Sequence, residues 1–146
     1  MASLADVFRV LEAMRAARVF ADYAIGGATA VLFYAEPTRT YDLDVFVSLP
    51  SGMAEHVMIH GVPVQFLPAP NALAEEAIRD ARALDYDGVN VRVIDPEHLV
   101  ALAVQAGGAR RRERAWQLLE AGQVDRDRLR KVLSTYGISA KIPDDV

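Results

Sequence analysis

The sequence predicts an α/β fold (α+β in stricter usage), in which a small mixed β-sheet is flanked by helices and followed by a helical C-terminal segment. Short apolar runs with strand character occur at 23–25, 41–47 and 89–94, and stretches with helical periodicity separate them. The last third of the chain has helical periodicity only. With 146 residues and no internal repeat, the chain is expected to form one domain.

The composition is that of an ordinary globular protein, since 52% of the residues are hydrophobic and 25% are charged. The absence of cysteine excludes disulfides, thiolate metal sites and a thiol nucleophile. No apolar run approaches the roughly 18 residues of a transmembrane span. The first residues lack the basic and apolar regions of a signal peptide. We therefore expect a cytoplasmic protein without membrane contact.

Charge is spread unevenly along the chain. The net charge is −4, yet residues 109–131 hold eight Lys or Arg against four Asp or Glu. Such a basic segment is compatible with contact to nucleic acid, and equally with a solvated helix face that carries ion pairs. The sequence leaves both interpretations open.

The N-terminal third predicts a helix, a strand and a second helix. Apolar residues at helical spacing predict a helix over 4–18, and a short apolar strand follows at 23–25. The glycine pair 26–27 turns this strand into a helix over 28–34. A proline then ends that helix, so residues 36–40 are expected to form a loop.

The middle of the chain predicts further strands. A strand over 41–47 is followed by two more, over 55–60 and 62–67, which meet at Gly61. These two form either a hairpin or one bent ribbon. Pro63 indicates that its strand has a free edge or begins there, because proline cannot donate a backbone hydrogen bond.

The remaining elements follow from capping residues and periodicity. They are a helix from Asn71, a strand over 89–94, a helix capped by Asp95 with Pro96 and His98 in its first turn, and helices over 110–121 and 125–136.

Asp42 and Asp44 are separated by one residue in the predicted strand 41–47. Alternate side chains of a strand share a face, so both carboxylates are expected on one face and the intervening apolar residues on the other. Like charges this close require a cation nearby. Mg²⁺ takes one or two carboxylates and completes its shell with water and substrate phosphates. The pair therefore predicts a Mg²⁺ site.

Gly26 and Gly27 precede these aspartates within about 20 residues. The N-terminus of a helix that follows glycines is suited to an anion, because free backbone N–H groups point outward there. Arg39 stands just ahead of the aspartate strand, where it could neutralise a phosphate or pair with one of the aspartates. A phosphate site and a metal site are thus predicted side by side.

This arrangement of strand, glycine pair, helix and Asp-x-Asp strand resembles the DNA polymerase beta-like nucleotidyltransferase superfamily. It looks most like the small bacterial proteins of the minimal nucleotidyltransferase type, some of which serve in toxin–antitoxin pairs. The likeness covers roughly residues 5–135, and a weaker match runs through 91–99. The matching motif residues are Gly26, Gly27, Arg39, Thr40, Asp42 and Asp44.

The resemblance implies the nucleotidyltransferase fold for a core over 1–108. The helical pattern of the last third predicts that 109–138 is a helical extension of the same domain, and 139–146 is expected to be a flexible tail. The resemblance also implies Mg²⁺-dependent transfer of a nucleotidyl group from a nucleoside triphosphate to an RNA or protein acceptor. In that reaction the protein supplies positioning and charge neutralisation.

The same resemblance implies a role for each motif residue. Asp42 and Asp44 would hold metal, and the backbone of Gly26 and Gly27 would hold phosphate. Arg39 or Thr40 would assist.

The sequence departs from the family pattern at the position of the third acid, where the strand 62–67 carries Gln65. A neutral amide binds metal more weakly than a carboxylate and cannot act as a general base. The family's frequent glycine-motif serine is replaced by Gly27, and Ala103 stands where related proteins often have lysine. Two functions therefore stay open: an active nucleotidyltransferase that uses Gln65 in its catalytic set, or a catalytically impaired binding module such as one component of a toxin–antitoxin pair.

The link after the aspartate strand is shorter than the family pattern predicts. A helix of about a dozen residues is expected there, but only 48–55 separate the strand from His56. If that helix is missing, one face of the sheet loses its cover. A partner protein or a second copy of the chain could supply it.

Overall fold

The structure, a computed structural model, describes residues 4–35, 43–47 and 55–140. Its strands are β1 (Tyr23–Gly26), β2 (Leu43–Val47), β3 (Glu55–Ile59), β4 (Val62–Pro68), β5 (Arg82–Tyr86) and β6 (Val89–Val93). Its helices are α1 (Leu4–Ala16), α2 (Gly27–Val31), α3 (Ala72–Arg79), α4 (Pro96–Ala106), α5 (Ala109–Glu120) and α6 (Arg126–Thr135). Among these described helices, none has the length and apolar character needed to cross a membrane.

The six strands form one mixed sheet in the order β3-β4-β2-β1-β6-β5. β1 runs parallel to β6, and β2 runs parallel to β4. The pairs β1–β2, β3–β4 and β5–β6 are antiparallel. The predicted mixed sheet flanked by helices is therefore confirmed.

Strand β2 shows the alternation that its sequence predicts. Leu43, Val45 and Val47 are at most 1% exposed, whereas the residues between them are half-buried. Because successive strand residues point to opposite faces, the apolar set packs into the core. The side chain of Asp44 therefore lies on the opposite face of the sheet.

The helices pack on this sheet and on one another. α1 packs against β6, α3 packs against β1 and β2, and α4 touches α2, α3, α5 and α6. The buried apolar side chains form one cluster to which the last two helices contribute Leu118, Leu119, Leu129, Val132 and Leu133. α5 and α6 thus share the core of the sheet.

The predicted cap of α4 is confirmed, and α3 has a side-chain cap as well. The side chain of Asn71 accepts a hydrogen bond of 3.0 Å from the backbone N–H of Ala74 and so caps α3. The side chain of Asp95 accepts one of 2.8 Å from the backbone N–H of His98 and caps α4, which begins with Pro96. These caps satisfy backbone N–H groups that have no partner within the helix.

The structure decides between a hairpin and a bent ribbon for 55–67. β3 and β4 form an antiparallel hairpin that turns at His60 and Gly61. Pro63 is the second residue of β4, and the register of β4 on β2 begins one residue later at Val64. Proline is accommodated there because it stands before the parallel pairing starts.

Two expectations about element boundaries require correction. β5 was not expected as a strand, yet it pairs along its length with β6 across a two-residue turn at Asp87 and Gly88. The Asp-Gly dipeptide is the sequence signal for such a turn, because both residues adopt positive φ values, here 48° and 80°. In addition, α2 is shorter than the expected 28–34 and ends at Val31.

Several expectations fall on residues outside those described. They are the loop at 36–40, the first two residues of the aspartate strand, most of the short link over 48–55 and the end of the tail from residue 141.

Candidate functional site

Strand register brings three of the predicted site residues into one row across the sheet. Gly26 of β1 stands opposite Asp44 of β2, and Asp44 stands opposite Gln65 of β4. Residues directly opposite in paired strands carry their side chains on the same face. The row continues to His56 of β3, which stands opposite Gln65 and is exposed. The position of His56 beside this site is not predictable from the sequence, because it depends on the register of the hairpin.

The glycine pair packs directly onto β2. A Cβ atom at Gly27 would overlap the carboxylate of Asp44, and a Cβ atom at Gly26 would overlap the ring of Phe46. Gly27 also has a φ of +60°, which side-chain-bearing residues rarely adopt. The Asp44 carboxylate therefore lies against the first residue of α2, in the space that a side chain would otherwise fill.

The remaining predicted site residues are not among those described. Arg39, Thr40 and Asp42 belong to the stretch 36–42, so their roles stay predictions.

The donors that the described part of the site offers are compatible with Mg²⁺. Asp44 supplies carboxylate oxygens and Gln65 an amide oxygen, and both side chains are half-buried on the same face. Mg²⁺ prefers hard oxygen ligands, and one or two carboxylates suffice when phosphates and water complete the shell. A metal ion at this position would thus meet one charged and one neutral protein ligand among the described residues.

Two cavities lie in the described part of the chain, one beside Gln65 and one near the C-terminal helices. One of about 100 Å³ follows the β3–β4 hairpin and is lined in part by His56 and Gln65. It is smaller than the roughly 300–1,000 Å³ of small-molecule sites. A second of about 430 Å³ lies between the end of α4 and α5, where Arg112 and Trp116 line it. Neither is lined by Asp44 or the glycine pair.

A separate ionic network is buried at the start of α4. Asp95, Glu97 and His98 are each only 1% exposed. Arg128 of α6 donates to Glu97 at 2.6 Å and to Asp95 at 3.0 Å. His98 Nδ1 lies 2.9 Å from both Asp95 oxygens, and Nε2 lies 2.7 Å from Glu76 Oε2 on α3. The network thus joins α3, α4 and α6.

The hydrogen bonds of this network set the charge of His98. Burial by itself disfavours the imidazolium, but hydrogen bonds to Asp95 and Glu76 outweigh it and raise the pKa of His98 above its ordinary value. Burial likewise opposes ionisation of Asp95, yet hydrogen bonds from His98 lower the pKa of Asp95. Ionised carboxylates can only accept, so in the imidazolium form of His98 both ring nitrogens donate to them.

His98 also belongs to a group of side chains that could bind a metal ion. Glu76, Asp80 and His98 each offer one ligand atom, and these three atoms lie within 4.8 Å of one another. We expected His98 only as a residue of the first helical turn. Its burial and partners come from elements distant in sequence, so no local signal predicts them.

Comparisons with known proteins show the fold. No family model and no curated protein matches the sequence. An antigenic nucleotidyltransferase-like protein from Paracoccidioides brasiliensis is 17% identical, with a TM-score of 0.54 over 91% of this chain and 86% of that one. The antibiotic-resistance factor ANT(2'')-Ia is 14% identical, with a TM-score of 0.53 over 92% of this chain and 91% of that one. This chain therefore has the fold of nucleotidyltransferase-like proteins.

Gly27→Ala is expected to destabilise the protein more than Gly88→Ala. Both glycines have positive φ values, +60° and +80°, so each substitution strains the backbone by about 1 kcal/mol. Only at Gly27 does the added methyl group overlap a neighbour, Asp44, whereas nothing lies within 4 Å of a Cβ at Gly88. We expect an additional loss of about 1–2 kcal/mol at Gly27. Urea unfolding measures both values, and equal losses would contradict the close packing of Gly27 on Asp44.

Arg128→Met is expected to destabilise the protein by about 2–4 kcal/mol, because it removes the cation that Glu97 and Asp95, both buried, share. The matched control is Arg130→Met on the same helix, whose side chain is 62% exposed and pairs with an exposed aspartate. Surface pairs contribute about 0–1 kcal/mol. The measurement is the free energy of urea unfolding at neutral pH. Similar losses for the two variants would show that the buried network adds little stability.

Proposed function

We propose that this protein is a nucleotidyltransferase that binds Mg²⁺ and a nucleoside triphosphate and transfers a nucleotidyl group to an RNA or protein acceptor. The observation that carries the proposal is the position of Asp44, which lies against Gly27 and beside Gln65 on one face of the sheet. The likeness in fold to two nucleotidyltransferase-type proteins supports it. The RNA alternative for the acceptor is supported by the basic composition of 109–131.

In this proposal different residues bind the metal ion and the phosphates of the substrate. Asp44, together with Asp42, holds Mg²⁺, which when bound neutralises charge on the triphosphate. The backbone N–H groups that follow the glycine pair are proposed to donate hydrogen bonds to a phosphate. Arg39 and Thr40 are proposed to contact the phosphates from the start of the aspartate strand.

Gln65 is proposed to orient the attacking hydroxyl group of the acceptor. Its register places it directly beside Asp44, so its amide oxygen can accept a hydrogen bond from that hydroxyl. An amide cannot take up the proton at neutral pH. The chain therefore relies on positioning where a third carboxylate would add general-base catalysis.

A second candidate function is that of a catalytically impaired binding module, such as one component of a toxin–antitoxin pair. The observation that favours it is again Gln65, the neutral residue beside Asp44. The edge strand β3 also exposes Val57 and Met58 by 39% and 64%. Exposed apolar side chains on a strand with an open edge suit contact with a partner protein or a second copy of the chain.

Asp44→Asn is expected to abolish nucleotidyl transfer, because the substitution removes the metal-binding charge and keeps the side-chain size. The assay incubates the protein with each of the four labelled triphosphates, Mg²⁺ and cellular RNA and protein, and follows label on the acceptors. Asp127→Asn, a change at a 94% exposed side chain, is the control and should retain activity. Labelling that persists at the wild-type level in Asp44→Asn would contradict the proposed site.

Gln65→Glu is expected to raise the rate of transfer, since a general base contributes about 10²–10⁴-fold. Gln123→Glu, which adds the same charge at an exposed position, should leave the rate unchanged. If labelling of an acceptor is detected only with Gln65→Glu, the wild-type protein is the impaired binding module. Absence of labelling in both the wild type and Gln65→Glu would overturn the proposal of catalysis on this scaffold.

A further inference from the structure

Three metal-ligating side chains converge outside the candidate nucleotide site. Glu76 and Asp80 lie four residues apart on and just after α3, and His98 lies in the first turn of α4. Residues at this helical spacing share a face. One ligand atom from each of the three lies within 4.8 Å of the others. The set combines one imidazole nitrogen with two carboxylates, which is a donor set of transition-metal sites in proteins.

His98 is held in the orientation that a metal ligand requires. Its ring is 1% exposed, and Nδ1 lies 2.9 Å from both oxygens of Asp95. A carboxylate that holds one ring nitrogen of a histidine fixes the ring and directs the other nitrogen toward a metal. Here the other nitrogen, Nε2, is directed at Glu76, with a separation of 2.7 Å.

The open side of the cluster is accessible from solvent. The side chains of Glu76 and Asp80 are 22% and 41% exposed, so an ion can reach them while His98 stays buried. Arg79 lies 3.8 Å from each carboxylate, which is too long for a hydrogen bond, and its side chain is 67% exposed. It can therefore move into solvent and leave both carboxylates to a cation.

We propose that Glu76, Asp80 and His98 bind a divalent transition-metal ion of the zinc class, with water at the remaining position. Ligand atoms about 2.0–2.2 Å from zinc in tetrahedral geometry stand about 3.4 Å apart. The exposed Asp80 side chain needs only a small rotation to reach that spacing, and Glu76 retreats slightly from His98. The ion replaces the Nε2 proton of the imidazolium, which passes to water.

This site differs from the proposed Mg²⁺ site in its ligand atoms and in the effect that a bound ion has on the protein. It uses a nitrogen donor, whereas the donors around Asp44 are oxygens. It joins α3 to α4, so a bound ion stabilises the folded chain by mass action without any nucleotide. An experiment can therefore reject this metal site without rejecting the proposed function, and the reverse.

The test is a titration of the tag-free chain with Co²⁺. Binding is monitored by the visible absorption of low-symmetry Co²⁺, and the bound Co²⁺ is then displaced with Zn²⁺. With excess Mg²⁺ present to occupy the oxygen site at Asp44, we expect one Co²⁺ ion per chain, and a higher urea midpoint when Zn²⁺ is added. Asp80→Asn removes an exposed ligand without disturbing the core and should weaken binding at least about tenfold. Glu75→Gln, an exposed change on the same helix, is the matched control and should bind as the wild type does.

A further variant tests whether the ion binds at other histidines. A double change of the remaining histidines, His56→Gln with His60→Gln, should leave binding unchanged. The proposal is overturned if the wild type binds no Co²⁺ at millimolar concentration, if Asp80→Asn binds as tightly as the wild type, or if the histidine pair proves necessary.

Discussion

The position of β1 between β2 and β6 is the constraint on which the candidate site depends. All four residues of β1 are buried, and its Ile25 carbonyl accepts a hydrogen bond of 2.9 Å from Ile94 just beyond β6. The strand ends at Gly26, where the chain turns at once into α2. Glycine is required on both sides of this turn because β2 lies too close for a side chain. The Asp44 carboxylate consequently lies against the first residue of α2.

A second polar centre, at the start of α4, consists of buried charged side chains. Asp95, Glu97 and His98 are almost fully removed from water, so each is stable only while its partner is in place. The partners come from α3 and α6, which makes the start of α4 the junction of three helices. The two centres use different chemistry, because one leaves its carboxylate half-buried on a sheet face and the other surrounds a histidine with carboxylates.

Local sequence signals predicted most of the elements that position the candidate site. Period-two alternation predicted which residues of β2 face the core, and the Gly-Gly dipeptide predicted the turn into α2. Asp95 and Pro96 predicted the start of α4, since caps depend on neighbours in sequence. β5 is signalled only by the Asp-Gly turn, because its sequence, RALDY, has little alternation of apolar residues and its residues are exposed or half-buried.

The sequence by itself determined the helices, most strands, and the proximity of the glycine pair to the aspartate strand along the chain, because these follow from local spacing. Only the tertiary structure decided that Gln65 stands beside Asp44, since strand register between distant segments is set by packing of the whole sheet. It alone decided that His98 meets Glu76 from 22 residues earlier and Asp95 on its other side. Such contacts join residues far apart in the chain, and no local pattern encodes which of the many charged side chains will meet in the core.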